Sequence, residues 1–353
     1  MGSVFGWAAV DAPSGPPHGE PDDETFRFSD VGKLARRTRR RVVGAARADD
    51  RVTFAKLLRG HLGDSVAALD VVEEFWPAYD YVNVSIGFDA WLAEGKRTHQ
   101  LVGLINFRHR DFGLSDLVRP SPMMGYQPDP GNVSWVNLAS GPGGEVRQCV
   151  RAGLYFVCDG AARAAILLRA PNPQSDMSGA QMQVVADRPG LAADIAAGVR
   201  NLALEHNVFR GQVISFGQDM FGERAAAMQF HARPEMVAAD VILDAETIAA
   251  ISRQVVGVAK HRTKLLAARQ HLKRGLLLHG PPGVGKTHTV RYLMSQLRDT
   301  TIIELTGDAL RLISTACSVA RSLQPAMVVV EDVDLIAEDR GMHPGQHPLL
   351  FQL

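Results

Sequence analysis

A glycine-rich stretch between an apolar run and a helical pattern constrains the fold of this chain more than any other feature. The stretch reads GLLLHGPPGVGKT and ends at Thr287. The run GLLLH predicts a short buried strand of a parallel sheet, and the following KTHTVRYLMSQL predicts a helix. The apolar side of that helix carries Val290, Leu293, Met294 and Leu297. A strand, a glycine loop and a helix in this order predict an α/β fold around a phosphate-binding loop.

The loop matches the pattern GxxxxGK[ST], in which backbone N–H groups surround a phosphate. They can do so only where the chain curls without side chains in the way, and a helix N-terminus adds unpaired N–H groups and a favourable dipole. Lys286 adds a positive charge for the β- and γ-phosphates, and Thr287 is placed to coordinate Mg²⁺. We therefore predict that ATP is bound by one continuous run: Gly280, Pro281, Pro282, Gly283, Val284, Gly285, Lys286 and Thr287. The alternative, a glycine-rich turn with a chance lysine, does not account for the flanking strand and helix patterns.

An acidic cluster follows a second apolar run in PAMVVVEDVDLIAEDR. Met327 to Val330 predict a buried strand, and Glu331, Asp332 and Asp334 come at its carboxyl end, where parallel sheets bind ligands. One acid would hold the metal, and a second would orient and deprotonate the attacking water. The alternative is a helix N-terminus that carries acidic residues. The position downstream of a phosphate-binding loop favours a catalytic role.

The segments KRGLLLHGPPGVGKT and MVVVEDVDLI together resemble the AAA ATPases. The resemblance covers residues 241–353 and implies a parallel sheet in which GLLLH, TTIIEL and AMVVVE are strands one to three. It also implies that Val256 and Gly257, in QVVGVA, line the adenine pocket. The upstream region, which comprises the residues before 241, resembles the N-terminal domain of large actinobacterial AAA proteins.

The acidic pair departs from the commonest AAA order, Asp-Glu, because it reads Glu331-Asp332. This order resembles the branch of mitochondrial respiratory-chain assembly ATPases. By position, Glu331 takes the metal role and Asp332 the water-activating role, so that Thr287, Glu331 and Asp332 form the metal site and Lys286, Glu331 and Asp332 the catalytic set. The interval TGDALRLISTACSVARSLQP has no aromatic residue, which argues against a pore loop that threads polypeptide.

The resemblance implies further elements that would follow Leu353: strand four between strands one and three, strand five, the arginine finger and the helical lid. We therefore expect the AAA domain to be incomplete in this chain. In the complete protein we expect a homo-oligomeric ring, in which a neighbouring subunit supplies an arginine and the substrate is an unidentified protein.

The sequence predicts three regions: an acidic and then basic disordered tail (1–51), a mixed α/β domain (52–240) and the partial P-loop AAA domain (241–353). In the second region YVNVSIGF, HQLVGLI, GQVISFG and AAAMQFHA predict strands. QCVRAGLYFVCDGAARAAILLRA predicts a hairpin that turns at Asp159-Gly160. FAKLLRGHLGDSVAAL and GLAADIAAGVRNLALEHNVFRG predict helices, and Asp244 is the expected N-cap of another.

Composition excludes several classes of function. The formal net charge is +0, so bulk electrostatics indicate no particular partner. The three cysteines are too few and too scattered for a disulfide framework or a structural zinc site. The sequence contains no apolar run of spanning length and no signal peptide, so we expect a cytoplasmic protein that does not contact a membrane.

The arginines between Lys33 and Arg51 could contact nucleic-acid phosphates, but without interleaved aromatic residues a solvated helix face or a partner-docking arm is favoured.

These observations favour an ATPase that hydrolyses ATP to remodel a macromolecular partner. Two alternatives stay open. The first is a non-hydrolysing ATP-binding adaptor that acts through its N-terminal domain. The second is a phosphotransferase, which would need an acceptor pocket of which the sequence gives no sign.

Overall fold

The computed structural model describes residues 52–106, 112–119, 128–172, 179–217 and 227–331. The chain divides into two units between Arg51 and Val52. The first unit, and with it the predicted tail and its arginines, lies outside the described residues. All elements below belong to the second unit.

A seven-stranded antiparallel sheet forms the centre of the upstream region, in the order β1-β7-β6-β5-β2-β3 with β4 also paired to β5. The strands are β1 (Val71–Trp76), β2 (Thr98–Ile105), β3 (Asp129–Gly131), β4 (Ser134–Ala139), β5 (Val146–Asp159), β6 (Ala162–Arg169) and β7 (Ala180–Ala186). The predicted hairpin is confirmed, but its two-residue turn is Gly160-Ala161 instead of Asp159-Gly160, because Asp159 pairs with Ala162 and Gly160 adopts a φ of 61°. That left-handed conformation suits the tight turn and disfavours residues with a side chain.

Four helices cover both faces of this sheet. They are α1 (Phe54–Leu62), α2 (Tyr81–Ala93), α3 (Leu114–Val118) and α4 (Leu191–Glu205). The helices α2 and α4 pack on one face, and α1 and α3 on the other. The helix predictions for α1 and α4 are confirmed, although α1 ends at Leu62 and Asp64–Ala68 form a 3-10 turn. Helix α1 buries Phe54, Leu58 and Leu62.

The strand prediction for YVNVSIGF is wrong, because this segment forms the first part of α2. Val84 and Phe88 of α2 pack against the seven-stranded sheet, whereas Val82 enters the core of a second sheet. A helix buried on several sides has no polar face, so its sequence carries no helical period. Gly87 lets α2 approach α4 closely, since a Cβ there would lie 2.4 Å from the Ala203 backbone nitrogen.

A second sheet has four strands in the order β11-β10-β8-β9. They are β8 (Val213–Gly217), β9 (Ala227–His231), β10 (Thr301–Leu305) and β11 (Ala326–Val330). Strands β8, β10 and β11 are parallel, and β9 runs antiparallel to β8. Helix α8 (Lys286–Gln296) packs on one face and α9 (Ile313–Ser322) on the other. The predicted strands TTIIEL and AMVVVE are therefore confirmed as parallel neighbours.

The strand prediction for GLLLH is wrong. Residues 275–279 have no regular structure, and Leu277 is 81% exposed. A strand exists only when its backbone groups pair with a neighbour, and no strand among the described residues pairs with this segment. Instead, β8 of the upstream region extends the sheet beside β10. The sheet thus joins strands from both sides of residue 240, where a domain boundary was predicted.

A helical connector leads from β9 to the glycine loop. It contains α5 (Ala245–Ser252), a π-helical turn (Arg253–Gly257), α6 (Val258–Lys260) and α7 (Arg262–Ala267). The predicted N-cap is confirmed, since Asp244 Oδ1 accepts the Thr247 N–H at 2.8 Å. Hydrogen bonding from the Thr247 side chain, and then from its N–H, lowers the pKa of Asp244. Within the described ranges, no helix is both long and apolar enough to cross a bilayer.

Candidate nucleotide-binding site

The glycine loop curls immediately before α8. Gly283 and Gly285 have φ values of 82° and 88°, which L side chains rarely adopt. Gly285 is the N-cap of α8, and the first helical turn is closed by the Thr289 N–H donating to the Gly285 carbonyl at 2.8 Å. The N–H groups of Lys286, Thr287 and His288 therefore have no acceptor within the helix. Such a helix start suits an anion.

The Lys286 side chain folds back across the loop. Its Nζ donates to the carbonyls of Gly280 at 2.8 Å and Pro281 at 3.0 Å. The ammonium group is thus held beside the backbone that would surround a phosphate. Thr287 is exposed in the first turn of α8, where its hydroxyl can reach a bound ligand. The loop residues present therefore fit a triphosphate with its Mg²⁺.

Thr289 fixes the start of the helix and was missed by the sequence reasoning. It is buried, and its Oγ1 donates to the same Gly285 carbonyl at 3.0 Å. One carbonyl therefore accepts both the N–H and the hydroxyl of the residue four positions later. The available signal was a hydroxyl residue one helical turn after the last glycine of the loop.

The orientation of α8 places the loop at the carboxyl edge of the parallel strands. Met294, near the end of α8, packs with Ile302 of β10. Arg291, one turn earlier, interacts electrostatically with Glu304, which lies further along β10. The helix therefore runs antiparallel to β10, and its amino end points toward the edge where parallel sheets bind ligands.

Glu331 follows β11 at that same edge. Its N–H donates to the Leu305 carbonyl at 3.1 Å, so the ladder between β10 and β11 continues to this residue. Asp332 and Asp334 lie outside the described residues. The predicted metal set of Thr287, Glu331 and Asp332 therefore stays a prediction. Within the ranges that the structure covers, no group of three or more His, Cys, Asp or Glu side chains could hold a metal ion.

A second carboxylate, Glu304, lies near Glu331 and was not anticipated. Burial raises the pKa of Glu304 above its ordinary value and Glu331 raises it further, whereas His231 and Arg291 favour the charged form. His231 Nε2 lies 2.7 Å from Ser215 Oγ. A glutamate inside the buried run TTIIEL was the available signal, because strands of parallel sheets are seldom interrupted by acids.

Val256 and Gly257, predicted to line an adenine pocket, lie in the π-helical turn of the connector. Val256 packs against the cluster formed by Val241, Tyr292 and Leu293. The structure thus brings this segment against α8, the helix that carries the loop. Contact with an adenine stays a prediction.

The fold and the loop together define an α/β protein of the P-loop class. Residues 276–351 match the model of the AAA family, "ATPase family associated with various cellular activities". This part of the chain is therefore similar in sequence to the AAA ATPase domain.

Curated relatives agree with this assignment. The chain is 26% identical over 128 residues to the 26S protease regulatory subunit 6A of Caenorhabditis elegans, covering 34% of the chain and 30% of that protein. It is 37% identical over 75 residues to proteasome-activating nucleotidase 1 of Halobacterium salinarum, covering 19% and 18%. It is 31% identical over 103 residues to spastin of Xenopus laevis, covering 27% and 17%. The matches thus span less than a third of the length of each of these relatives.

Proposed function

We propose that this chain binds MgATP at Gly280–Thr287 and hydrolyses it to drive the remodelling of a macromolecular partner. The observation that carries the proposal is the loop that ends in left-handed Gly285 at the start of α8, with the Lys286 ammonium held against the loop carbonyls. Free N–H groups, a helix dipole and a positive charge converge there, which is what a triphosphate requires. The match to an ATPase family over 276–351 supports the same function.

Each site residue has a proposed role. Lys286 leaves the loop carbonyls to contact the β- and γ-phosphates, while the N–H groups at the start of α8 bind phosphate oxygens. Thr287, Glu331 and Asp332 hold Mg²⁺, which when bound neutralises the charge that develops on the phosphates. Asp332 orients the attacking water and accepts its proton. Val256 and Gly257 contact the adenine.

The assembly and the partner are also proposals. We propose a homo-oligomeric ring in which a neighbouring copy contributes an arginine to the site, and a protein as the remodelled partner, in a cytoplasmic setting. The proteins named above as relatives include a regulatory subunit of a protease and a proteasome-activating nucleotidase. Their names support action on a macromolecule. We further assign the upstream region to the actinobacterial type of AAA protein.

Calorimetric titration with MgATP and a phosphate-release assay test the proposal on three proteins: the unaltered chain, Lys286→Ala and Lys96→Ala. Lys96 is an exposed lysine of the upstream region and serves as the matched control. We expect saturable binding and release of ADP and phosphate in the unaltered chain and in Lys96→Ala, and loss of both in Lys286→Ala. Binding without turnover at any protein concentration would favour the adaptor. Equal binding by Lys286→Ala would contradict the assignment of the site.

A further inference from the structure

Arg233 lies two residues after β9 and donates hydrogen bonds to four backbone carbonyls. Its Nη1 donates to Met294 at 3.0 Å and to Leu297 at 2.9 Å. Its Nη2 donates to Gly211 at 2.8 Å and to Thr300 at 3.0 Å. One guanidinium group therefore joins the end of α8 to the turns that precede β8 and β10.

At the end of α8 the Met294 carbonyl also accepts the Leu297 N–H at 3.3 Å, and the Leu297 carbonyl accepts the Thr300 N–H at 3.2 Å, so Arg233 supplies a second donor to each. The last carbonyls of any α-helix lack intrahelical donors, and the helix dipole favours a cation beside them. Arg233 is half-buried, and its fork of N–H donors can serve several acceptors at once. Burial lowers the pKa of Arg233, and Asp299 partly offsets this effect. The side chain therefore acts as a charged C-terminal cap contributed by the upstream region.

The segment after Arg233 is also bonded to the end of α8. Ser295 Oγ donates to the Met236 carbonyl at 3.0 Å, and Gln296 Nε2 donates to the same carbonyl at 3.2 Å. The strand pair β8–β9 is in turn continuous with β10, where Val213 is in register with Ile302. Hydrogen bonds thus join the carboxyl end of α8 to the segment that follows β9, and Arg233 joins it to the turn that precedes β8.

The amino end of α8 is the phosphate-binding loop. The helix has no break between Lys286 and Gln296, and a helix of this length spans about 16 Å as one rigid element. A shift at its carboxyl end therefore moves the N–H groups at its amino end. Binding geometry for a phosphate tolerates little displacement of this kind.

We propose that Arg233 is a positioning residue for the nucleotide site. It couples MgATP binding at the amino end of α8 to the local stability of the strand pair β8–β9. This inference rests on the proposed function, because it requires MgATP at the loop. Coupling between two sites is reciprocal. MgATP therefore stabilises β8–β9, and a change at β8–β9 alters the affinity for MgATP.

The test compares Arg233→Met and Arg233→Lys with Arg210→Met in the full chain. Arg210 is the matched control, since it also donates to two backbone carbonyls, Leu204 and Gln324, neither of them in α8. Calorimetry gives the Kd for MgATP, and thermal unfolding gives the loss of stability. Amide hydrogen exchange with and without MgATP reports the local order of the loop and of β8.

We expect Arg233→Met to raise the Kd by about tenfold, within the ~5- to 150-fold range typical of coupled sites, and Arg210→Met to leave it within about twofold. Arg233→Lys should be intermediate, since one ammonium serves fewer carbonyls. In the unaltered chain MgATP should slow exchange in both Gly280–Thr287 and Val213–Gly217. In Arg233→Met at saturating MgATP only the loop should respond.

Three outcomes would overturn the inference. One is an unchanged Kd in Arg233→Met, even with a lowered unfolding temperature, because the residue would then stabilise the fold alone. If Arg233→Met does not fold, an unchanged Kd in Arg233→Lys has the same consequence. The third is absence of MgATP binding by the unaltered chain, which would overturn the proposed function together with this inference.

Discussion

The Thr289 hydroxyl donates to the Gly285 carbonyl at 3.0 Å, and so fixes the residue that turns the loop into the helix. We predict that Thr289→Val lowers the free energy of unfolding by about 1 kcal/mol, the typical contribution of one hydrogen bond, and weakens MgATP binding. Thr289→Ser keeps the hydroxyl and should bind MgATP as the unaltered chain does. Denaturant unfolding and calorimetry measure the two effects. An affinity of Thr289→Val equal to that of the unaltered chain would show that the Thr289 hydroxyl has no part in nucleotide binding.

The carboxyl group of Glu304 gives the fold a pH dependence. Burial raises its pKa in the folded state, so the folded state holds the proton more tightly than the unfolded state. The resulting stabilisation is fully present below the ordinary pKa of a glutamate and is lost as the pH rises through the raised value. Glu304→Gln is neutral at every pH and should therefore be more stable than the unaltered chain at neutral pH.

Urea unfolding from about pH 4 to about pH 8 measures this effect. We expect the stability curves of Glu304→Gln and the unaltered chain to converge at the acidic end and to separate as the pH rises. Glu235→Gln, which alters an exposed glutamate of the connector, is the control and should show no such separation. A Glu304→Gln variant less stable than the unaltered chain at neutral pH would mean that His231 and Arg291 outweigh burial.

Two leucines near the loop test which part of this region is packed. Leu293 of α8 is 2% exposed, whereas Leu277 before the loop is 81% exposed. We predict that Leu293→Ala lowers the free energy of unfolding by about 2–5 kcal/mol through lost burial and a cavity. Leu277→Ala should change it by less than about 0.5 kcal/mol. Denaturant unfolding measures both, and a large loss in Leu277→Ala would show that GLLLH is buried as a strand after all.

Much of the site could be predicted because its signals are local. The fixed spacing from Gly280 to Thr287 and the apolar period of α8 each depend on a few neighbouring residues, and so does the cap at Asp244. Arg233 could not be found in this way, and the buried run TTIIEL could flag Glu304 but not its partners. Each acts on groups far away in the sequence, and neither stands in a pattern that indicates its partners.

The sequence by itself determined the loop conformation, the start of α8, the hairpin of β5 and β6 and the parallel pairing of β10 with β11. These follow from backbone preferences, hydrophobic period and strand order. Only the tertiary structure decided that YVNVSIGF is helical, that GLLLH is unpaired and that β8 lies beside β10. Burial on several sides erases the helical period of α2, and a strand depends on a partner elsewhere in the chain. Pairing and burial are therefore properties of the whole fold, which a short stretch of sequence does not contain.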